Sequence, residues 1–287
     1  MNTDLESFPI NPRSDARTSP RSNASTLQRF NALHSSAFTL VELLVVISII
    51  AILAAMLLPV ISAVKQKGRI AKAKTEVTLI LAAIHDYESA YNRFPCSATT
   101  MAAAAGATGG AVDFTFGGTF KTPTGTTLVG TLNSLNNWQT NNAEVIAILM
   151  DIPVGVNAGH VKNPQGTKFL NASMVGDSIS PGVGADGVYR DPWGQPYVIT
   201  VDLNNDNRAR DGFYRLASVS STNTTVPTGT GYNGLVNSIG GDAYECNDTV
   251  MVWSAGPDKT IDPGPTANST GNANQGANKD NILSWKQ

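Results

Sequence analysis

Glu42 is the residue whose side chain most clearly indicates a chemical role, because it is the only charged residue in the apolar run Phe38–Val64. A carboxylate costs on the order of 2.5–3.5 kcal/mol at the centre of a bilayer and less near its surface, so Glu42 needs a partner or a specific task. Its task would be to pair with a cation inside an apolar environment. The alternative is a glutamate that only reaches up to the lipid headgroups.

Catalytic chemistry has few candidate residues. The chain has three histidines, His34, His85 and His160, and it lacks the GxSxG and HExxH motifs and a phosphate-binding glycine loop. A membrane-anchored hydrolase would need its catalytic residues elsewhere, and the sequence offers none. We therefore expect that the protein is not an enzyme.

A second group of polar residues superficially follows the pattern of a calcium loop: Asp202, Asn204, Asp206 and Asp211. The pattern needs glycine at its sixth position, where Asn207 stands, and a closing glutamate, where Phe213 stands. These departures favour a hairpin turn over a metal site.

Two cysteines, Cys96 and Cys246, are present and have no metal-ligand spacing. An oxidising compartment would permit a disulfide between them. The sequence does not show whether their Cα atoms come close enough, so a bridge and two free thiols both remain open.

The element that must position Glu42 is a membrane helix. Leu43–Val64 contains no charge and is long enough to span the hydrocarbon of a bilayer at 1.5 Å per residue. A secretory signal peptide would place its small-residue cleavage site after the apolar run, whereas Ser35-Ser36-Ala37 precedes it. Pro59 lacks an N–H group and should kink the helix.

The flanks of this run differ in character. Residues 1–37 are polar and proline-containing, with four arginines and no apolar periodicity, so we expect a disordered cytoplasmic leader. Five basic residues, Lys65, Lys67, Arg69, Lys72 and Lys74, follow the run, so a count of positive charges leaves the orientation ambiguous. This basic cluster either touches lipid phosphates or is a solvated helix face, and the pattern favours the solvated face.

The net charge of −2 gives no reason to expect nucleic-acid binding.

The remaining chain predicts an α+β fold. Residues 65–94 continue the helix as an amphipathic half, with apolar residues at three- and four-residue steps up to Tyr91 and Pro95 as a stop. Residues 95–186 read as a variable insert with extended pieces at Val112–Phe120 and Thr127–Leu132 and a short helix, Ala143–Met150, capped by Asn142. Residues 187–287 contain the turn Asp191–Gly194, and three strands are expected there: Tyr197–Asp202, Phe213–Val219 and Thr249–Ser254. Their antiparallel sheet should cover the amphipathic half of the helix.

The sequence Ala37-Phe38-Thr39-Leu40-Val41-Glu42, running directly into the apolar helix, resembles the processing site of type IV pilins and of the pseudopilins of type II secretion systems. The resemblance implies cleavage by a prepilin peptidase between Ala37 and Phe38, and methylation of the new amino group. Glu42 would then pair with the terminal amine of a neighbouring subunit, and Pro59 matches a proline of the family. Ala37 departs from the family, which usually has glycine there.

The C-terminal segments 189–197, 254–258 and 280–285 resemble the major pseudopilin of type II secretion in particular. That branch binds calcium in a C-terminal loop, which implies a Ca²⁺ site formed by Asp258, Asp280 and the backbone of Ser254. Lys259 stands where glycine is usual, and Asn281 stands where a second aspartate is common.

Taken together, the resemblance implies a structural filament subunit. The subunit would be single-pass in the inner membrane with an extracytoplasmic, periplasmic C-terminal domain before it enters a pilus or pseudopilus. Its partners would be copies of itself, the peptidase and methyltransferase, an inner-membrane assembly platform and minor pseudopilins. The alternative is an adhesin or extracytoplasmic binding protein that uses the same anchor.

Overall fold

The computed structural model describes residues 38–105, 113–129, 141–223, 228–264 and 271–286. The described chain divides into two units, with the boundary between Ala54 and Ala55. The helices are α1 (Leu40–Tyr91), α2 (Ala98–Ala105), α3 (Ala143–Leu149) and α4 (Ala217–Ser220), with 3₁₀ turns at Gly155–His160, Tyr232–Gly234 and Gly276–Asp280. The strands are β1 (Phe114–Phe116), β2 (Thr119–Lys121), β3 (Thr127–Val129), β4 (Gly182–Val183), β5 (Tyr189–Arg190), β6 (Val198–Val201), β7 (Gly229–Thr230), β8 (Val236–Asn237), β9 (Val250–Ser254) and β10 (Ile282–Leu283). The predicted leader, residues 1–37, lies outside the described residues.

Helix α1 has 52 residues and confirms the predicted long helix, with Pro59 inside it. It stops where Asn92 takes a left-handed backbone conformation, with φ of 51°, and donates its N–H to the carbonyl of Glu88 at 2.7 Å. Asparagine tolerates this conformation better than most residues, so it provides the chain reversal before the predicted stop at Pro95.

The second half of α1 is amphipathic, as predicted. Its fully buried residues recur at helical spacing and are Ala73, Val77, Ile80, Ala83, Ile84 and Tyr87. They form one core with β1, with α3 and with one face of the sheet. The amphipathic half is therefore the part of α1 that holds the folded domain together.

The main sheet has the strand order β1-β6-β9-β10, and all neighbours are antiparallel. Alternate residues of the central strands enter different cores. Ile199 and Val252 face the core that contains α1, whereas Val198 and Trp253 belong to a second core that contains Phe213 and Tyr214. Because both faces are covered, β6 and β9 are buried along their whole length, and the strands predicted at Tyr197–Asp202 and Thr249–Ser254 are confirmed.

The strand predicted at Phe213–Val219 is wrong. Residues 212–215 form turns, and α4 begins at Ala217. The cause is the fully buried Asp211, whose Oδ1 accepts hydrogen bonds from the N–H groups of Phe213 and Tyr214, both at 2.8 Å. These side-chain bonds bend the backbone away from a strand.

The insert is only partly as predicted. The chain after Cys96 was expected to be a loop, but Ala98–Ala105 is the helix α2, whose Thr100 N–H donates to Ser97 Oγ at 3.0 Å. Four consecutive alanines and a serine cap explain this helix. Short strands do form within the two predicted extended pieces, of which Val112 and residues 130–132 lie outside the described residues.

Asn142 is the N-cap residue of α3, as predicted, but its side chain makes no capping hydrogen bond. The side chain is fully buried, and its Nδ2 donates to the carbonyl oxygens of Tyr189 at 2.9 Å and Tyr197 at 2.8 Å. Its Oδ1 accepts from the N–H of Tyr189 at 2.8 Å. Asn142 therefore joins α3 to the chain segments that lead into β5 and β6.

Candidate functional site

Glu42 closes the first turn of α1 through reciprocal hydrogen bonds with Thr39. Its Oε2 accepts from Thr39 N at 2.9 Å and from Thr39 Oγ1 at 2.8 Å, and Glu42 N donates to Thr39 Oγ1 at 3.2 Å. This pattern is a capping box, which fixes where the helix begins. Both carboxylate bonds end on Oε2, so Oε1 stands outside the capping box. The carboxylate is thereby held at a defined position near the helix start.

Phe38 is 73% exposed at the beginning of the described chain. Ala37 lies outside the described residues, so the structure does not place the predicted cleavage site. The side chains that follow are exposed as well, and no residue from 38 to 65 is buried. An apolar surface of this length is unfavourable in water, so it must be covered by lipid or by other protein.

The hydroxyl groups in the apolar half of α1 are satisfied within the helix. Ser48 Oγ donates to the carbonyl of Leu44 at 2.7 Å, and Ser62 Oγ donates to the carbonyl of Pro59 at 2.8 Å. Backbone and hydroxyl groups that bond internally can enter an apolar medium at low cost. Among the described residues, α1 is the one helix that is long and apolar enough to cross a membrane.

The predicted turn Asp191–Gly194 is present and contacts the last residue of β9. Asp191 is buried, its Oδ1 accepts from the N–H groups of Trp193 and Gln195, both at 2.9 Å, and its Oδ2 accepts from Ser254 Oγ at 2.6 Å. Burial raises the pKa of Asp191. Ser254 is paired with Ile282 in the sheet, and its hydroxyl is occupied by Asp191, which leaves only its main chain for the predicted metal site.

The predicted metal residues Asp258 and Asp280 lie in the part of the chain that connects β9 to β10. Burial raises the pKa of both, and the charge of Asp258 raises the pKa of Asp280 further. Asp280 Oδ1 and the neighbouring Asn281 Oδ1 are buried oxygens with no hydrogen-bond partner among the residues that the structure describes. Buried oxygens without a donor are unfavourable, and a cation would satisfy them.

The oxygen-only character of this donor set fits Ca²⁺, which binds carboxylate, amide and carbonyl oxygens. The candidate site has only two carboxylates. Within the described segments, no group of three or more histidine, cysteine, aspartate or glutamate side chains could hold a metal. The residues available are thus the two aspartates, the Asn281 amide and main-chain carbonyls.

The acidic segment 202–211 is a polar turn, but it is not the predicted hairpin turn, because residues 212–215 form turns and not a second strand. Asp202 Oδ1 and Oδ2 accept from the N–H groups of Asn205 at 2.6 Å and Asn207 at 2.8 Å. Asp113, from the insert, accepts from the N–H groups of Leu203 at 3.3 Å and Arg210 at 2.6 Å. Burial and the charges of Asp202 and Asp206 raise the pKa of Asp113 to about 8. The carboxylates of Asp202 and Asp113 therefore hold the backbone of this turn in place through hydrogen bonds to its N–H groups.

The two cysteines are buried free thiols, so the structure does not contain the disulfide that the sequence left open. Cys96 packs in the core with α1, whereas Cys246 packs in the second core. Burial raises the pKa of Cys96 to about 12 and that of Cys246 to about 11. Both groups are therefore protonated at neutral pH.

A cavity of about 550 Å³ opens beside α3. Its lining is mostly apolar and includes Ala143, Ala147, Ile152, Val156, Met174 and Gly187. The volume lies in the range of small-molecule sites. No residue of this cavity was predicted from the sequence, because its walls come from distant segments.

Sequence reasoning also missed Thr39 as the partner of Glu42. The signal was present, since a threonine followed three residues later by a glutamate before an apolar run is typical of a capping box. It missed the role of Asp191 as well, because the contact between Asp191 and Ser254 joins residues 63 positions apart.

Comparison with known proteins matches one family model, the prokaryotic N-terminal methylation motif, to residues 33–58. This motif is typical of type IV pilin-like proteins, which are processed by prepilin peptidase and assemble into pilus-type filaments. No curated protein and no solved structure matches the chain. The motif and the exposed apolar helix together indicate a protein anchored in a membrane by this helix.

Proposed function

We propose that this chain is a structural subunit of a type IV pilus-like filament, of the kind that the major pseudopilin forms in type II secretion. The observation that carries the proposal is an apolar helix surface, exposed at every residue from 38 to 65, that begins at a methylation motif and a fixed carboxylate. In the membrane, lipid covers this surface. In a filament, the same surface of neighbouring subunits covers it.

Glu42 supplies specificity to this packing. Cleavage before Phe38 creates a terminal amine, and Glu42 of one subunit pairs with the amine of the next within the apolar bundle. Removing one partner of a buried ion pair costs about 3–5 kcal/mol, so helices that are out of register are strongly disfavoured. The Thr39 capping box supports this role because it holds the carboxylate at the helix start.

The test compares Glu42→Gln with Glu88→Gln, a matched change near the other end of α1. Mature mass and N-terminal sequence should show that both variants start at methylated Phe38. Glu42→Gln should then form few or no filaments by electron microscopy, whereas Glu88→Gln should assemble normally. Normal filaments from Glu42→Gln would refute the pairing, and a retained leader in the wild type would refute the filament proposal.

We further propose that Ca²⁺ binds in the C-terminal loop through Asp258, Asp280 and Asn281. The support is the pair of buried, unpartnered oxygens of Asp280 and Asn281 beside the charge of Asp258. Ca²⁺ at 100 times its dissociation constant would stabilise the fold by about 2.7 kcal/mol.

Ca²⁺ should raise the melting temperature of the wild type and of the control Asp206→Asn, but not that of Asp258→Asn or Asp280→Asn. An equal response from all four proteins would exclude this site.

A second candidate function, a binding protein or adhesin carried by the same anchor, is favoured by the cavity beside α3. Ala147→Phe would fill part of this cavity. If binding is the function, cells with this variant should keep normal filaments and lose adhesion. Unchanged adhesion would count against the cavity as a binding site.

A further inference from the structure

The basic residues that follow the apolar half of α1 form a separate feature of the folded domain. Lys65, Lys67 and Arg69, here called the basic collar, are all exposed. Within the described residues none of the three forms an ion pair, whereas the next cation, Lys72, lies 3.7 Å from Glu76. The collar thus carries three positive charges that the structure leaves uncompensated.

The collar directly continues a surface that needs an apolar covering. Leu57, Leu58, Val60, Ile61 and Val64 are all exposed on the same helix immediately before Lys65. The uncharged stretch from Leu43 to Val64 is about 33 Å long at 1.5 Å per residue, close to the roughly 30 Å of a bilayer core. The next turn of the helix, from residue 65 to residue 69, therefore falls at the depth of the lipid phosphates.

The geometry of a helix also directs the collar toward the lipid. Side chains on a helix tilt toward its N-terminus, which for these residues is the membrane side. Lysine and arginine can lay their methylene groups along the apolar surface while their charged ends reach the headgroups. At 100° per residue, Lys65 and Arg69 lie on one side of the helix and Lys67 on the other, so the collar presents charge in more than one direction.

We propose that the basic collar binds the phosphate groups of anionic phospholipids in the leaflet on the side of the folded domain. The partner is a phosphatidylglycerol-type headgroup, chosen because its net negative charge complements three unpaired cations. Juxtamembrane basic residues are attracted to anionic lipid in this way, and the attraction is screened by salt. The proposal depends on membrane anchoring and not on filament formation.

The experiment measures which lipids surround the full-length protein. The chain is reconstituted in phosphatidylcholine vesicles with a small amount of spin-labelled phosphatidylglycerol or phosphatidylcholine, and the immobilised fraction of each label is determined by electron paramagnetic resonance. The wild type should prefer phosphatidylglycerol by at least about threefold at low salt. The preference should disappear in 1 M NaCl.

The variant Lys65→Gln/Lys67→Gln/Arg69→Gln should lose this preference. The control Lys121→Gln/Lys259→Gln/Lys279→Gln removes the same number of charges elsewhere in the domain and should retain it. A collar variant with an unchanged preference, or a wild type with none, would overturn the proposal. A collar variant that changes only self-association in detergent would assign the collar to protein contacts and overturn it too.

Discussion

Tyr197 donates its hydroxyl hydrogen to Glu76 Oε2 at 2.6 Å, which joins the residue that directly precedes β6 to the amphipathic half of α1. Tyr197 is fully buried, and burial together with the charge of Glu76 raises its pKa, so it remains a neutral donor. The bond links residues 121 positions apart and holds the sheet against the helix at a defined height.

The first prediction concerns this bond. Tyr197→Phe should destabilise the fold by about 1.5–3 kcal/mol, because it removes a hydrogen bond to the charged and mostly buried carboxylate of Glu76. The free energy of unfolding of the detergent-solubilised chain, measured with urea, checks this. The double variant Tyr197→Phe/Glu76→Gln should lose less free energy of unfolding than the two single variants lose together. Strict additivity would show that the two side chains do not interact.

The buried Asn142 gives a second prediction. Asn142→Ala removes three buried hydrogen bonds that join α3 to the backbone of Tyr189 and Tyr197, so it should cost at least about 1–3 kcal/mol. An exposed asparagine elsewhere in the domain provides the control, since Asn171→Ala should change the free energy of unfolding by less than about 0.5 kcal/mol. Similar losses in both variants would show that the buried hydrogen bonds of Asn142 contribute little to stability.

Asp113 should make stability depend on pH. Its pKa is about 8 in the folded protein and near 4 when unfolded, so between these values the folded state holds a proton that the unfolded state has lost. The free energy of unfolding should therefore fall as pH rises from 4 to 8, by at most about 1.4 kcal/mol per pH unit from this group. Asp113→Asn should reduce the slope in this window. An unchanged slope would mean that other carboxyl groups cause it.

Substitution of Gly256 should destabilise the fold, because its backbone has a left-handed conformation and no space is left for a side chain. Its φ is +72°, and a Cβ atom there would collide with the carbonyl oxygen of Asp280. Gly256→Ala should cost more than the roughly 1–3 kcal/mol of a strained backbone alone, and thermal melts can measure this. Gly125→Ala is the control, since its φ is +84° and a Cβ atom there would meet nothing within 4 Å. Equal losses would show that only backbone strain matters.

The thiols offer a chemical prediction. With pKa values of about 12 and 11 and buried positions, Cys96 and Cys246 should not react with 5,5′-dithiobis(2-nitrobenzoic acid) at pH 8 in the native protein. After unfolding without a reductant, two thiols per chain should react. If none reacts, the protein contains a disulfide that the structure lacks.

The parts of the fold that the sequence predicted are those governed by local periodicity. Val77, Ile80 and Ile84 repeat at helical spacing, and Val198–Val201 and Val250–Ser254 are mostly apolar runs bounded by polar turns. These patterns arise from burial of one helix face or of both sheet faces, so they are visible in the chain itself.

The failures concern choices that depend on tertiary contacts. The run that begins at Phe213 has strand-like composition, but the buried carboxylate of Asp211 turns it, and a short apolar run does not reveal this. Asn142 looks like a helix cap in the sequence, yet its partners lie about fifty residues away. The pairing of β1 with β6 is similarly non-local, since Phe114 pairs with Val201.

The uncovered first half of α1 has a consequence for how a subunit could be supplied to a filament. The core of the folded domain begins at Ala73, and no side chain from 38 to 65 belongs to it. Moving those side chains from lipid into a bundle would break no contact inside the domain. A fully folded subunit could thus remain in the membrane until it enters a filament, and it could return to the membrane, without refolding of its domain.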